Sequence, residues 1–458
     1  MAEATIEEGR GDELMTALAG ALIRPEDAGY DEARHIHNGL IDKRPALIAR
    51  CRGTADVVDA LALAREIGLE VSVRGGGHNV AGRAVTNGGL MIDLSQMKGI
   101  HVDPVAKTVR AQGGVIWREF NRETGLHGLA TTGGAISTTG IAGLTLGGGL
   151  GWLMSNYGLA ADNLLSVELV TAAGDVLRPS AEDHPDLFWA LRGGGGNFGV
   201  ATSFEYQLHP VSMITGGLVA HPFEAARDVL QFYREFTASV SDETTVFAGL
   251  VHAPDGSGMK LAAFIVFHTG SPGQAAADLK PVLEFGSPLM TEVGPMPYPA
   301  MNMIIDDAYP KGALNYWKSR FVRSLDDGTI EALVTAFAEC PSPMGGIVIE
   351  HFHGAVTRVG VEDTAVPHRQ ESYNVVIPGE WLDPADTDAN IAWARATYSA
   401  LDPYAAGGRW LNYLADDDVD EAVGAAYGPN YERLREVKRR YDPENVFRLN
   451  HNIVPAAD

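Results

Sequence analysis

From Thr54 onward, apolar side chains recur at Val57, Val58, Leu61, Ala62 and Ala64, the spacing of one helical face, until Gly68 stops it. Thr54 is the expected N-cap. The period then changes. Val71 and Val73 alternate with polar neighbours, which predicts a half-exposed strand over 70–74 that runs straight into Gly75, Gly76, Gly77 and His78. Short strands follow in GLMIDL, then a hairpin in HVDPVAKTVRAQGG turning near Asp103 and Pro104. After a glycine-dense stretch over 133–151, SVELVTAAGDVLRPS predicts a second hairpin turning at Ala173 and Gly174. DLFWALRGGGGNFG reads as a short helix broken by glycines, and VATSFEYQLHPV as a closing strand. Beyond residue 213 the pattern is different: longer helices alternate with strands and proline-rich loops to about residue 405, a second, α+β lobe. The last stretch holds a charged helix, YERLREVKRRY, and a tail, FRLNHNIV.

Length and composition sharpen this picture. A chain of 458 residues is too long for one ordinary core and suggests two or three lobes. Many of the 53 glycines cluster between residues 74 and 199, which points to backbone wrapping closely around something. The net charge of -24 argues against a nucleic-acid partner and against an anionic membrane surface. Cys51 and Cys340 are too few for a disulfide framework and read as small buried side chains. MAEATIEEGRGDE lacks a basic segment followed by an apolar run, and no stretch reaches the ~20 apolar residues of a membrane span. A cytoplasmic protein is the resulting expectation.

The chemistry concentrates in Arg74, the three glycines, His78 and Asn79. Successive glycines leave backbone N–H groups free to curl into an anion-binding concavity suited to a pyrophosphate. A plain tight turn would use the same residues. No G-x-x-x-x-G-K-[ST] and no G-x-S-x-G occurs, and the glycine runs do not follow the logic of a dinucleotide-binding βαβ unit. His351 and His353 alternate on a strand and so share a face, but no third ligand follows at a sensible spacing, so no metal is expected. They are read instead as lining the substrate side of a sheet. Asp416, Asp417 and Asp418 read as a solvated charge run.

SVRGGGHNVAG resembles the pyrophosphate loop of the vanillyl-alcohol-oxidase flavoproteins, in particular their berberine-bridge-enzyme-like branch. The likeness continues through TTGGAISTTGIAGLTLGGGLGWLMSNYGLAADNLLSVELVTAAGDV and HPDLFWALRGGGGNFGVATSFEYQLHPV, and ends with NYERLREVKRRYDPENVFRLNHNI. It implies an α+β fold: a PCMH-type FAD-binding domain of two α/β subdomains over 1–212 and an inserted α+β substrate domain with an antiparallel sheet over 213–405. A C-terminal segment, 406–458, would return to the FAD domain. By the same resemblance His78 carries FAD through the 8α-methyl of its ring. Ile136 stands where many relatives have a second, cysteinyl attachment, so a single link is implied.

The remaining roles also come from the resemblance. Arg74, Gly75, Gly76, Gly77 and Asn79 would frame the cofactor loop, and Gly134, Thr139, Gly140, Gly143 and Gly147 would let backbone pass close to the cofactor. Thr139 would stand near the flavin face where oxygen reacts. Asp162 and Asn163 would form a following polar segment, Val200, after Gly199, would meet the adenine through its backbone, and Asn450 and Asn452 would return to the flavin. WLNYLADDD offers Tyr413 as catalytic base with Asn412 beside it. A tyrosine titrates near ~10, so its phenolate would need stabilising. Val376 occupies a place where some relatives have an acid or amide. The implied reaction moves a hydride from a C–OH or C–N carbon of a small molecule to flavin N5, with molecular oxygen as acceptor and hydrogen peroxide as product. His351, His353 and Tyr413 would face the substrate. A dehydrogenase with another acceptor, a flavin-binding protein without turnover, and assembly as a homo-oligomer all stay open.

Overall fold

The computed structural model describes residues 21–457 except 419; the acidic N-terminal stretch lies outside them. Three larger sheets organise the molecule, beside a two-stranded pair of Leu129–Ala130 and His209–Pro210. The first is ordered Ala21–Ile23, Leu47–Arg50, Leu90–Asp93, Val71–Arg74, antiparallel in its first pair and parallel in the others. Helix Thr54–Glu66 covers it with Val57, Ala60, Leu61 and Ala64, whereas Ala62 faces solvent. Gly53, not Thr54, is the N-cap, because the Thr54 hydroxyl donates to Glu168 at 2.6 Å.

The second sheet is antiparallel, in the order Ile100–Asp103, Thr108–Gln112, Val200–Gln207, Leu164–Val170, Val176–Leu177, and contains both hairpins read from the pattern. Helices Trp117–Gly125, Pro185–Leu191 and Tyr431–Tyr441 join one core with it through Trp117, Phe120, Phe204, Leu187 and Leu434.

The third sheet has seven antiparallel strands: Met290–Pro297, Met213–Pro222, Lys260–His268, Thr244–His252, Ile347–Phe352, Ser372–Trp381, Leu314–Val322. Strand alternation gives it two unlike faces. Tyr373, Val375 and Ile377 pack with Ile349 and Tyr233 under helices Ala226–Thr237, Asp327–Ala338 and Thr387–Ala400. Val376, Val348 and Trp317 point the other way and meet Val80 and Ile136 of the glycine-rich lobe.

The C-terminal region is tied down at two points. Asp417 accepts from Tyr316 (2.6 Å), Lys318 (2.9 Å) and Arg395 (2.7 Å), and Asp418 from Lys318 (2.8 Å). The expected solvated charge run is thus partly a clamp on strand Leu314–Val322, and against its burial the hydrogen bonds from Tyr316, Lys318 and Arg395 hold Asp417 down at about 2. Further on, Lys438 and Asp442 form a fully buried pair at 2.6 Å. The Lys438 ammonium also donates to the carbonyls of Asn197 and Phe447, joining the last helix to the second sheet's glycine turn. Asp442→Ala leaves that ammonium buried without a counter-ion, so a loss of about 3–5 kcal/mol is expected. Calorimetry should show a clearly lower melting temperature, and part of it regained when Lys438 is also replaced by Met.

Candidate active site

The loop after strand Val71–Arg74 is held from behind. The Arg74 guanidinium reaches Asp93 at 2.6 and 3.0 Å and the carbonyls of Ala33 and His35, so its side chain points away from the space in front of the glycines. Gly77 takes a left-handed φ of 67° that favours glycine. Gly76 lies directly against Gly140: a Cβ on Gly76 would stand 2.4 Å from the Gly140 nitrogen, and one on Gly140 would stand 2.4 Å from the Gly76 nitrogen. Two chain segments therefore meet backbone to backbone.

In front of this contact lies a cleft of about 1510 Å³ counting its open mouth. Its walls come from 75–79, 134–147, 195–199, the 410–413 turn and the C-terminal tail. Of the residues singled out in the sequence, Gly75, Gly76, Gly77, His78, Asn79, Gly134, Ile136, Thr139, Gly140, Gly143, Gly147, Gly199, Asn412, Tyr413 and Asn450 meet here. Asn412 donates to the Gly143 and Leu144 carbonyls, both at 3.2 Å, while its buried Oδ1 has no partner. Asn450 donates to the Gly196 carbonyl at 2.7 Å.

Others lie elsewhere. Asp162 forms a two-pronged ion pair with Arg369, both contacts at 2.8 Å, and Asn163 ties the carbonyls of Tyr157 and Leu159; both secure a turn, not the cleft wall. Val200 buries its side chain in the core beneath helix Thr54–Glu66. Asn452 also lies off the cleft wall, which is lined instead by His451. Both His451 ring nitrogens are buried without a partner, and burial lowers its pKa to about 3.

His78 stacks on His37, with ring centroids 3.9 Å apart, and its Nε2 lies 3.4 Å from the Thr138 hydroxyl. Burial, and then the neighbouring His37, bring its pKa down to about 3, so it presents a neutral imidazole to the cleft.

At the far end the Tyr413 hydroxyl donates to Glu350 Oε1 at 2.9 Å, and Asn374 donates to Glu350 Oε2 at 2.7 Å. Burial raises Glu350 to about 7 against the pull of these two bonds. Burial and the Glu350 charge drive Tyr413 well above its ordinary value. The stabilised phenolate that a lone tyrosine base requires is therefore contradicted: its neighbour is a carboxyl group, not a cation. His351 and His353 are corrected too. They face the helices, where His351 stacks on Tyr373 and His353 at 4.9 and 4.5 Å and His353 Nε2 donates to the Thr244 carbonyl at 3.0 Å. Glu350, one residue earlier, points the other way, to the Tyr413 hydroxyl that lines the cleft. The signal for it was a single acid inside the apolar strand sequence IVIEHF, which alternation places opposite His351.

Comparison with known proteins agrees with this geometry. The FAD binding domain family matches residues 45–180, and the berberine and berberine-like family matches residues 410–454. The chain is 33% identical to (R)-6-hydroxynicotine oxidase of Paenarthrobacter nicotinovorans, over 96% of this chain and 97% of that one. An FAD-linked oxidoreductase of Dictyostelium discoideum is 30% identical over 97% and 96%. The crystal structure of 6-hydroxy-D-nicotine oxidase from Arthrobacter nicotinovorans superposes with a TM-score of 0.87 at 31% identity, covering 96% of this chain and 98% of that one. FAD suits the cleft: the glycine edges accept a close-lying pyrophosphate, and His451 and Asn412 bring unpartnered polar atoms for a hydrogen-bonding ring.

Gly76→Ala would force the two backbones apart, so the purified variant should show at least several-fold less visible flavin absorbance per protein than the wild type, with far-ultraviolet circular dichroism retained. With both families matched in order, and with relatives at 30% and 33% identity along nearly its whole length, the chain belongs to the FAD-linked oxidoreductases, in the berberine-bridge-enzyme-like branch of the vanillyl-alcohol-oxidase superfamily.

Proposed function

We propose that the protein is an FAD-dependent oxidase that takes a hydride from a C–OH or C–N carbon of a small molecule, with molecular oxygen as final acceptor and hydrogen peroxide as product. Flavin supplies the two-electron acceptor. The observation that carries the reading is the Tyr413–Glu350 hydrogen bond at the end of the cleft. A substrate O–H or N–H that reaches the Tyr413 hydroxyl gives its proton to that oxygen while the tyrosine's own proton passes to Glu350 Oε1. Tyr413 thus never has to exist as a free phenolate, and Glu350 stores the proton. Asn374 holds the carboxyl in place through its other oxygen.

His78 is the residue that would hold FAD, through a bond from a ring nitrogen to the 8α-methyl carbon. Its neutral imidazole suits a nucleophile, since a protonated ring has no lone pair to offer. Ile136 lines the cleft where a second, sulfur attachment would be made, and neither cysteine is part of the lining, so the link is single. (R)-6-hydroxynicotine oxidase, by its name an oxidase, supports the choice of reaction class.

Acid precipitation of the pure protein should leave the yellow colour in the wild-type pellet and release it from His78→Ala; colour in the wild-type supernatant would contradict the bond. After anaerobic reduction by substrate, admitting air should restore the oxidised spectrum within the mixing time. Slow return would indicate a dehydrogenase. Glu350 must be ionised to accept the proton, so kcat/KM should rise with pH through about 7. Glu350→Gln should lower kcat roughly 10²–10⁴-fold and abolish that rise.

A further inference from the structure

His37 takes no part in the cleft wall or the proton path, yet its ring lies flat on His78, the side chain that would hold the flavin. The two imidazoles are stacked, with centroids 3.9 Å apart and planes 20° from parallel. His37 is buried, and its Nε2 has no hydrogen-bond partner among the described residues, so that nitrogen does not hold the ring in place. The main chain does. The His37 amide donates to the Gly77 carbonyl, and the His37 carbonyl accepts from the Gly312 amide, both at 2.9 Å. Asn38, also buried, donates to the carbonyls of Val80 (2.8 Å) and Asn315 (2.9 Å) and accepts from the Asn315 amide (2.9 Å). Gly39 passes so close to Gly312 that a Cβ on it would lie 2.1 Å from the Gly312 oxygen. Residues 37–39 thus form a strap tied on one side to the loop that carries His78 and on the other to the segment entering strand Leu314–Val322.

Attachment makes a strict geometric demand on His78. The lone pair of an imidazole nitrogen lies in the ring plane, so the plane must aim it at the 8α carbon. The χ2 torsion of histidine is broad and sets no plane by itself. The contact of His78 Nε2 with the Thr138 hydroxyl, at 3.4 Å, is longer than a firm hydrogen bond. A flat neighbour in contact with the ring face removes this freedom. Burial keeps both rings uncharged at neutral pH, His37 at about 4 and His78 at about 3, so no repulsion between cations opposes the stack.

We infer that His37 is a positioning residue for flavin attachment: its ring, held by the 37–39 strap, fixes the plane of His78 so that a ring nitrogen meets the 8α carbon. The inference rests on the covalent reading of His78 and deepens it. In the step itself one C–H bond of the 8α-methyl and the imidazole N–H bond break, and the C–N bond forms. The two electrons and two protons released reduce the flavin ring, and dioxygen then takes them up as hydrogen peroxide. His37 exchanges no proton and no electron in this sequence; it acts only through the orientation of His78.

The test follows attachment over time in full-length protein expressed under riboflavin limitation and then supplied with FAD in air. Flavin absorbance in the acid-precipitated pellet is read against total bound flavin. His37→Leu keeps the bulk but loses the flat ring, and its attachment should be about tenfold or more slower than in the wild type. His37→Phe keeps a flat ring without nitrogens and should attach flavin at close to the wild-type rate. Total bound flavin and melting temperature should stay near wild type in both, which a merely structural role for His37 would not allow once attachment had slowed. Attachment in His37→Leu as fast as in the wild type, or flavin that His37→Phe binds but acid then releases, would overturn the proposal. Should His37→Leu not fold, His37→Phe decides alone. Release of flavin from the wild type as well would sink the covalent reading itself, whereas equal attachment rates in the wild type and His37→Leu would sink only this inference.

Discussion

Backbone contact between Gly76 and Gly140 is the constraint on which the rest of the molecule depends. No side chain can be interposed there, since a Cβ on either residue would lie 2.4 Å from the other's nitrogen. The loop that leaves the first sheet and the loop that enters helix Ile141–Leu146 are thereby locked together. Each is also braced from its own side. Arg74 and Asp93 fix the first, while the second is fixed to the inserted lobe, where the Ser137 amide and hydroxyl donate to Asp306 at 2.8 and 2.6 Å and Asn302 donates to the Gly134 carbonyl at 2.6 Å. The cleft is the space that this arrangement leaves open.

Its two ends are chemically opposite. Near the glycine contact stand neutral imidazoles: His78, stacked on His37, and His451, all held unprotonated by burial. At the other end Tyr413 and Trp317 line the cleft, and Glu350, raised by burial, stands behind Tyr413. One end suits a cofactor that needs a neutral nucleophile and unobstructed backbone; the other suits the gain of a proton. The seven-stranded sheet makes the second end possible, because alternation puts Glu350 on one face of a strand whose other face is an ordinary apolar core.

The cofactor side was legible because its chemistry is local. Glycines 75–77 and His78 are adjacent in sequence, and their spacing to Gly140 carries the resemblance. The substrate side was not, because it depends on register between strands: Glu350 stands opposite Asn374. His351 and His353 drew attention as a pair, yet one step along the strand reverses the face. Asp162 and Asn163 belong to a conspicuous polar segment, but Arg369, more than two hundred residues away, satisfies the acid and keeps it from the cleft. Tyr413 lines the cleft, while the carboxyl that it donates to could be located only in three dimensions.

Five separated stretches of chain wall one cleft, sized and lined for a single flavin. Hydrogen–deuterium exchange of His78→Ala protein, compared before and after addition of FAD, tests it most directly. Added protection should concentrate in residues 75–79, 134–147, 195–199, 410–413 and the tail around Asn450 and His451. Protection confined to other segments, or none in the presence of saturating FAD, would show that these stretches do not hold the flavin.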